Sequence, residues 1–221
     1  MKTLKGMVQA FILVSPLLLL SVGYSAEHPG YIEAPERRTT GIGKFYMDRE
    51  ISFVMGHRAA GWLNRPERIR EEMPDSVVEN MELRADDVVA DIGAGSGYFS
   101  FRIAQKVPQG KVLAVDIQPE MLELIENQKE EERVSNIEGV LGQVDDPNLP
   151  ENFINAAIMV DAYHEFSHPF EMIDGINKAL KPGGRIFLLE YRGEDASVPI
   201  RPLHKMTEEQ VVKEMSVFGL E

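Results

Sequence analysis

Two rhythms of apolar and polar residues divide the chain. From Asp87 onward, short apolar runs alternate with helical patterns. "DVVADIG" predicts a strand, "YFSFRIAQKV" a helix and "KVLAVDI" a second strand. "QPEMLELIENQKEEERV" predicts a helix with Met121, Leu124 and Ile125 on one face. "IEGVLG" gives a weak strand signal and "INAAIMVDAY" a strong one. "PFEMIDGINKAL" predicts a helix with Phe170, Ile173 and Ile176 inward, before the strand "GRIFLLEY". A last helix, "TEEQVVKEMSVF", opens with Thr207 and Gln210 at capping-box spacing. Strands alternating with helices specify an α/β fold, a doubly wound and mostly parallel sheet with helices on both faces.

Upstream the rhythm differs. Residues 45–82 predict a helical extension, with Ile51, Val54 and Met55 on one face and Pro66 as a break. This segment is the expected lid over residues 83–221, with Tyr46, Met47, His57 and Trp62 either lining the site or, the simpler reading for each, packing between helices. Residues 26–44 are polar and proline-bearing, the pattern of a linker. Residues 1–25 combine Lys2 and Lys5, an apolar run from Phe11 to Val22, and the small residues Ser21, Gly23 and Ser25. That is the layout of a signal peptide, which implies export to the periplasm or cell envelope. The alternative is a membrane anchor through residues 7–22, an apolar stretch short of the ~20 residues a span prefers.

Charge and cysteine content narrow the chemistry. Asp and Glu number 36 against 23 Lys and Arg, and the net charge of −13 repels phosphate backbones, so no nucleic-acid partner is expected. With no cysteine there is no disulfide, no thiolate metal site and no cysteine nucleophile.

"DIGAGSG" places Gly93, Gly95 and Gly97 where the first strand of such a sheet meets its helix, the position at which these folds bind ligands. Asp116 ends the next strand, where a carboxylate can accept both hydroxyls of a ribose. Asp91 decides between cofactors. An acid two residues before Gly93 repels a dinucleotide pyrophosphate but suits a cationic sulfonium and ammonium. A nicotinamide oxidoreductase is disfavoured on that ground.

"VADIGAGSGYFS" and "AVDIQPEML" resemble the first two motifs of the class I S-adenosylmethionine-dependent methyltransferases. "MVDAYHEF" and "ALKPGGRIFLLEY" resemble their fourth- and fifth-strand motifs, in the same order, over residues 75–221. Within that family the chain is most similar to exported methyltransferase-domain proteins of undefined substrate. The resemblance implies a Rossmann-like domain that binds S-adenosyl-L-methionine. By it Asp91, Gly93, Ala94, Gly95 and Gly97 hold the methionine end, Asp116 the ribose, and Ile117 packs on adenine. The family's acid after the third strand is replaced by Gln143 or Val144, and Asp161 closes the fourth strand under the methyl donor. The family's sheet carries two further C-terminal strands that "FGLE" does not supply; either the chain is truncated or another element covers that edge.

For the acceptor, "DAYHEF" offers Tyr163 and His164 as candidate catalytic residues beside Asp161. His164 is a base or substrate-positioner, or else a histidine hydrogen-bonded at a strand end; Tyr163 lines the mouth or packs in the core. Glu190, Tyr191 and Arg192 end the fifth strand on the same rim, and His204 and Lys205 belong to a possible lid or a proline-rich connector. No proline-proline-aromatic motif follows the fourth strand, and "EYRGED" lacks the Asp-Asn pair of a catechol-type magnesium site, so no metal is expected. The expected function is methyl transfer to a small or lipophilic molecule, with membrane association through the N-terminus. A catalytically idle adenosyl-ligand binding or sensor protein of the cell envelope is the alternative.

Overall fold

The structure, a computed structural model, describes residues 8–14, 28–37 and 40–220. In chain order the elements are β1 (Val8–Val14), β2 (Tyr31–Glu33), β3 (Gly41–Tyr46), β4 (Arg49–Ser52), α1 (Ala60–Leu63), α2 (Arg68–Glu72) and α3 (Pro74–Asn80). The alternating part follows as β5 (Val88–Ile92), α4 (Ser100–Lys106), β6 (Lys111–Asp116), α5 (Pro119–Glu132) and β7 (Ile137–Leu141). It closes with β8 (Ile154–Val160), α6 (Pro169–Ala179), β9 (Leu180–Tyr191) and α7 (Glu208–Ser216).

Six strands form the main sheet in the order β1-β9-β8-β5-β6-β7. The five from β5 onward run parallel; β5, β6 and β8 are apolar and buried on both faces, as strands between helices must be, while the edge strand β7 buries only Ile137. The order in which strands are added reverses at β5, which pairs with β6 on one side and β8 on the other. A crevice therefore opens at its carboxyl end, beside Asp91. One face of the sheet packs Ile173 and Ile176 of α6 with Val211 and Met215 of α7. The other packs Val77 and Val78 of α3 with Phe101 and Ile103 of α4. On α5 Met121 and Ile125 are buried, but Leu124 is exposed and does not share their inward face. Thr207 caps α7 by accepting from Gln210 N at 3.1 Å. The Gln210 side chain does not complete the box; it donates instead to Met47 O and to Glu214.

Two features depart from the sequence reading. Residues 41–52 are not helical. β2, β3 and β4 make a small antiparallel sheet, and the β3–β4 turn places Met47 and Asp48 at φ 48° and 74°. Tyr46 and Ile51 from this hairpin are fully buried against α6 and α7. Helix begins only with α1, so the expected linker and lid both contribute strand. The second departure lies at the edge beside β9. Here β1 pairs antiparallel, Val8 opposite Tyr191 and Val14 opposite Arg185. An N-terminal strand thus covers the edge for which the sequence offered no C-terminal one. The rest of the expected signal segment lies outside the described residues. Among the described residues no helix is long and apolar enough to cross a membrane.

A buried ion pair ties the hairpin to the rest. Arg49, in β4, donates from Nε and Nη2 to the two carboxylate oxygens of Glu214 in α7, at 2.7 and 2.9 Å. Its Nη1 also donates to the carbonyl of His164 at 3.2 Å. Burial opposes the guanidinium charge, but the fully buried Glu214 overrides it and holds Arg49 more firmly protonated.

Candidate active site

A cavity of about 540 Å³ opens over the carboxyl ends of β5, β6 and β8. Its floor is the β5–α4 loop. Gly93 and Gly95 sit at φ 72° and 55°, a conformation glycine adopts without strain. A Cβ on Gly93 would lie 2.8 Å from Ala162 Cβ, and one on Gly95 2.6 Å from Leu63 Cδ1. Ala94 lines the cavity with them. The loop is pulled toward β6 because Gly93 N and Ala94 N both donate to Val115 O, at 2.9 and 3.0 Å. Gly97 has a different job. It is not part of the cavity wall, and its missing side chain lets Phe101 and Ile125 pack close.

Two carboxylates face this floor. Asp91 is buried and accepts from Ser100 Oγ at 2.6 Å; burial pushes its pKa up to about 6, with the Ser100 hydroxyl pulling the other way. Asp116 accepts from Gly95 N and Gln118 N, both at 2.9 Å. Burial raises it as well, tempered by those backbone N–H groups. Beyond Asp116, Ile117 remains partly exposed in the cavity wall, and Gln143 and Val144 line the wall together, so both alternatives for the position after the third strand reach the site. Gln118 also holds the upper wall: it donates to Met55 O and accepts from His57 N.

Asp161 closes β8 at φ 51°, a strained value for a residue with a Cβ. Its carboxylate lines the cavity, with Oδ1 buried and given no hydrogen-bond partner by the described residues. Burial raises its pKa against the lowering effect of His164.

Tyr163 and His164 do not stand at the mouth. The chain turns in a 3-10 turn over Tyr163–Glu165 that buries both side chains and leaves Glu165 on the wall. Tyr163 donates to Glu214 Oε2 at 2.7 Å and belongs to the core. His164 is bound through Nδ1 to Glu190 Oε2 at 2.7 Å and through Nε2 to His204 Nδ1 at 3.0 Å. The histidine that reaches the cavity is His204, from the 3-10 turn Pro202–His204. Burial works against a charged His164, yet the adjacent Glu190 carboxylate pushes it up to about 9. Burial and then the charge of His164 hold His204 down at about 4. An unprotonated imidazole therefore faces the cavity, backed by a protonated one and a buried carboxylate, an arrangement that can accept or pass on a proton.

Glu190 and Tyr191 lie behind the rim, not on it; both are buried, and Tyr191 OH accepts from Arg65 Nη2 at 2.7 Å. Arg192 pairs with Asp195, and Lys205 donates to the carbonyls of Asp195 and Val198. From the upstream segment Trp62 lines the cavity, together with Val54, Met55 and Arg68; Tyr46 and Met47 belong to the hairpin instead, and the His57 side chain is not among the lining residues. Sequence reading passed over Arg68, which is buried beside Asp91 and bound to Glu72 at 2.6 Å. Its i, i+4 spacing to Glu72 was the available signal.

Residues 89–184 match the profile of a methyltransferase domain. The chain is 29% identical over 136 residues to a demethylmenaquinone methyltransferase of Chlamydia muridarum (strain MoPn / Nigg), covering 62% of this chain and 58% of that protein. It is 29% identical over 116 residues to the ubiquinone/menaquinone biosynthesis C-methyltransferase UbiE of Pseudomonas putida, covering 52% and 45%. The chain thus spans about half the length of these curated relatives. A solved S-adenosylmethionine-dependent methyltransferase from Aquifex aeolicus superposes with a TM-score of 0.70 at 22% identity, over 75% of this chain and 89% of that one.

Proposed function

We propose that the protein, whose residues 89–184 match a methyltransferase-domain profile, is a class I S-adenosylmethionine-dependent methyltransferase that transfers the methyl group to a lipophilic ring compound of the quinone type. The observation that carries the donor is the placing of Asp91 and Asp116 toward the carboxyl ends of the adjacent strands β5 and β6, over glycines whose Cβ atoms would fill the cradle. Two carboxylates there suit a cation and a ribose and repel a pyrophosphate. Asp91 and the Gly93–Gly95 backbone would hold the methionine end, Asp116 the ribose, and Ile117 with Gln143 the adenine. The donor supplies an electrophilic methyl group; the chain aligns the acceptor, excludes water and handles the acceptor's proton. His204, backed by His164 and Glu190, is the group for that proton. The acceptor class is supported by the names of the two relatives and by the apolar wall of Val54, Trp62, Phe166, Met172 and Ile200.

The test is incubation of the full chain with S-adenosylmethionine and a demethylated quinol, followed by mass detection of methylated product and S-adenosylhomocysteine. Tight adenosyl binding without turnover on any lipophilic acceptor would turn the assignment toward an idle binding protein.

The pH dependence of donor binding follows from Asp91. Its carboxyl holds its proton up to about 6 in the folded chain, against ~3.9 for a free aspartate. Charging it therefore costs stability as pH rises through that window, and an ammonium placed beside it offsets the cost. Donor affinity is expected to weaken below pH ~6, approaching tenfold per unit, and the donor to raise Tm more at pH ~7.5 than at pH ~5. Calorimetric titration across that range checks it; a flat profile would remove Asp91 from the donor's cationic end.

A further inference from the structure

We propose that His164, Glu165 and His204 form a divalent metal site, of the zinc class, on the wall of the cavity. The three donor atoms are His164 Nε2, His204 Nδ1 and Glu165 Oε1. They are separated by 3.0 Å between the nitrogens, 3.8 Å from His164 to Glu165 and 3.7 Å from His204 to Glu165. A triangle of those sides has one point in its plane about 2.1 Å from every corner, which is the bonding distance of zinc to imidazole nitrogen and carboxylate oxygen. Two imidazoles and one carboxylate are also the ligand set of a catalytic centre that keeps a position open.

The surroundings are those that such a site needs. Glu190 Oε2 lies 2.7 Å from His164 Nδ1 and is completely buried. A carboxylate accepting the Nδ1 proton fixes the ring and leaves the Nε2 lone pair directed at the third partner, the carboxylate–histidine pairing found behind metal ligands. Glu165 is fixed in the same way: its Oε2 accepts from Met55 N at 3.0 Å, which leaves Oε1 for a cation. Ser52 Oγ lies against the second ring, 3.3 Å from His204 Nε2 and 3.4 Å from His204 Nδ1. Charge balances as well. The carboxylates of Glu165, Glu190 and Asp161 converge on two imidazoles that carry no charge of their own when ligating, with Asp161 Oδ1 3.9 Å from His164 Nδ1. A divalent cation bound there would take the place of the His164 proton in compensating these acids.

Glu165 and His204 both line the cavity, while His164 lies behind them, so the open coordination position faces the bound molecule. Resting on the methyl transfer proposed above, the cation would hold the hydroxyl oxygen of the acceptor ring as its oxyanion beside the donor, the hydroxyl proton passing to solvent; His204 is then a ligand, and the cation takes over the role given above to its imidazole.

The experiment is calorimetric titration of the full chain, stripped with a chelator, with zinc chloride, alongside Glu165→Gln, His204→Asn and Glu190→Gln. S-adenosylhomocysteine binding is measured on the same samples. The expected result is one zinc per chain, bound at least tenfold more weakly by Glu165→Gln and His204→Asn, and about 10–100-fold more weakly by Glu190→Gln. Glutamine at 165 keeps the acceptor for Met55 N and asparagine at 204 keeps a polar rim, so folding is preserved while a ligand is lost. Failure of the parent chain to take up zinc, or equal uptake by the variants, overturns the site and leaves the histidines as a proton relay. Retention of S-adenosylhomocysteine with no zinc sinks the metal site alone; zinc uptake with no adenosyl binding sinks the proposed function alone.

Discussion

Arg49→Met is expected to lower the stability of the folded chain by about 3–5 kcal/mol. The variant keeps most of the apolar stem and removes the guanidinium, which strands the Glu214 carboxylate in the core. Glu214 is fully buried, and after the change only Tyr163 OH and Gln210 Nε2 remain to satisfy it. Most of the loss is thus the cost of an uncompensated charge and not the worth of the pair. The double variant Arg49→Met, Glu214→Leu separates the two, since it removes the stranded charge as well as its partner. Urea denaturation should show the double variant recovering at least about half of the single variant's loss. Equal losses in single and double variants would mean that the pair contributes by its geometry alone. The effect reaches the site, because Arg49 Nη1 also holds the carbonyl of His164.

The second large effect falls on binding. Asp116→Asn is expected to lower stability by about 1–3 kcal/mol, because the amide oxygen still accepts from one of Gly95 N and Gln118 N and the amide nitrogen leaves the other without an acceptor. Affinity for S-adenosylhomocysteine should fall about 10–100-fold, or about 1.4–2.8 kcal/mol, because one acceptor for the ribose hydroxyls becomes a donor. Titration calorimetry on folded protein measures it. A change under about threefold would take Asp116 away from the ribose and leave it as a brace for the Gly95 turn.

Much of this architecture was legible in the sequence because the signals were local. Apolar runs of five to seven residues, each followed by a helical pattern, specify parallel strands wherever they occur, and Asp91 and Asp116 fall at strand ends that such runs define. The hairpin was not legible for two physical reasons. Its turn is Met47–Asp48, with both residues at positive φ but no Gly or Asn to announce it. In addition Ile51, Val54 and Met55 stand at helical spacing, although Ile51 belongs to β4 and the other two to the segment leading to the cavity. The histidine pair was hidden for another reason. No periodicity relates His164 to His204; only the chain's passage along α6 and β9 and the fold-back at Pro202–His204 bring their nitrogens to 3.0 Å. Reading "DAYHEF" therefore singled out His164, which is buried, and not His204, which reaches the cavity.

The pairing of β1 with the far end of β9 has a consequence in time. Val8–Val14 is synthesised early, and its partner Arg185–Tyr191 only near the end of the described chain. At ~5–20 residues per second the first strand waits roughly ten to thirty seconds for the edge that will bury its backbone. Throughout that interval it is a bare apolar segment, open to whatever at the ribosome captures such stretches; afterwards its N–H and C=O groups are taken up in the sheet. The edge beside β9 is thus the last part of the main sheet to be covered.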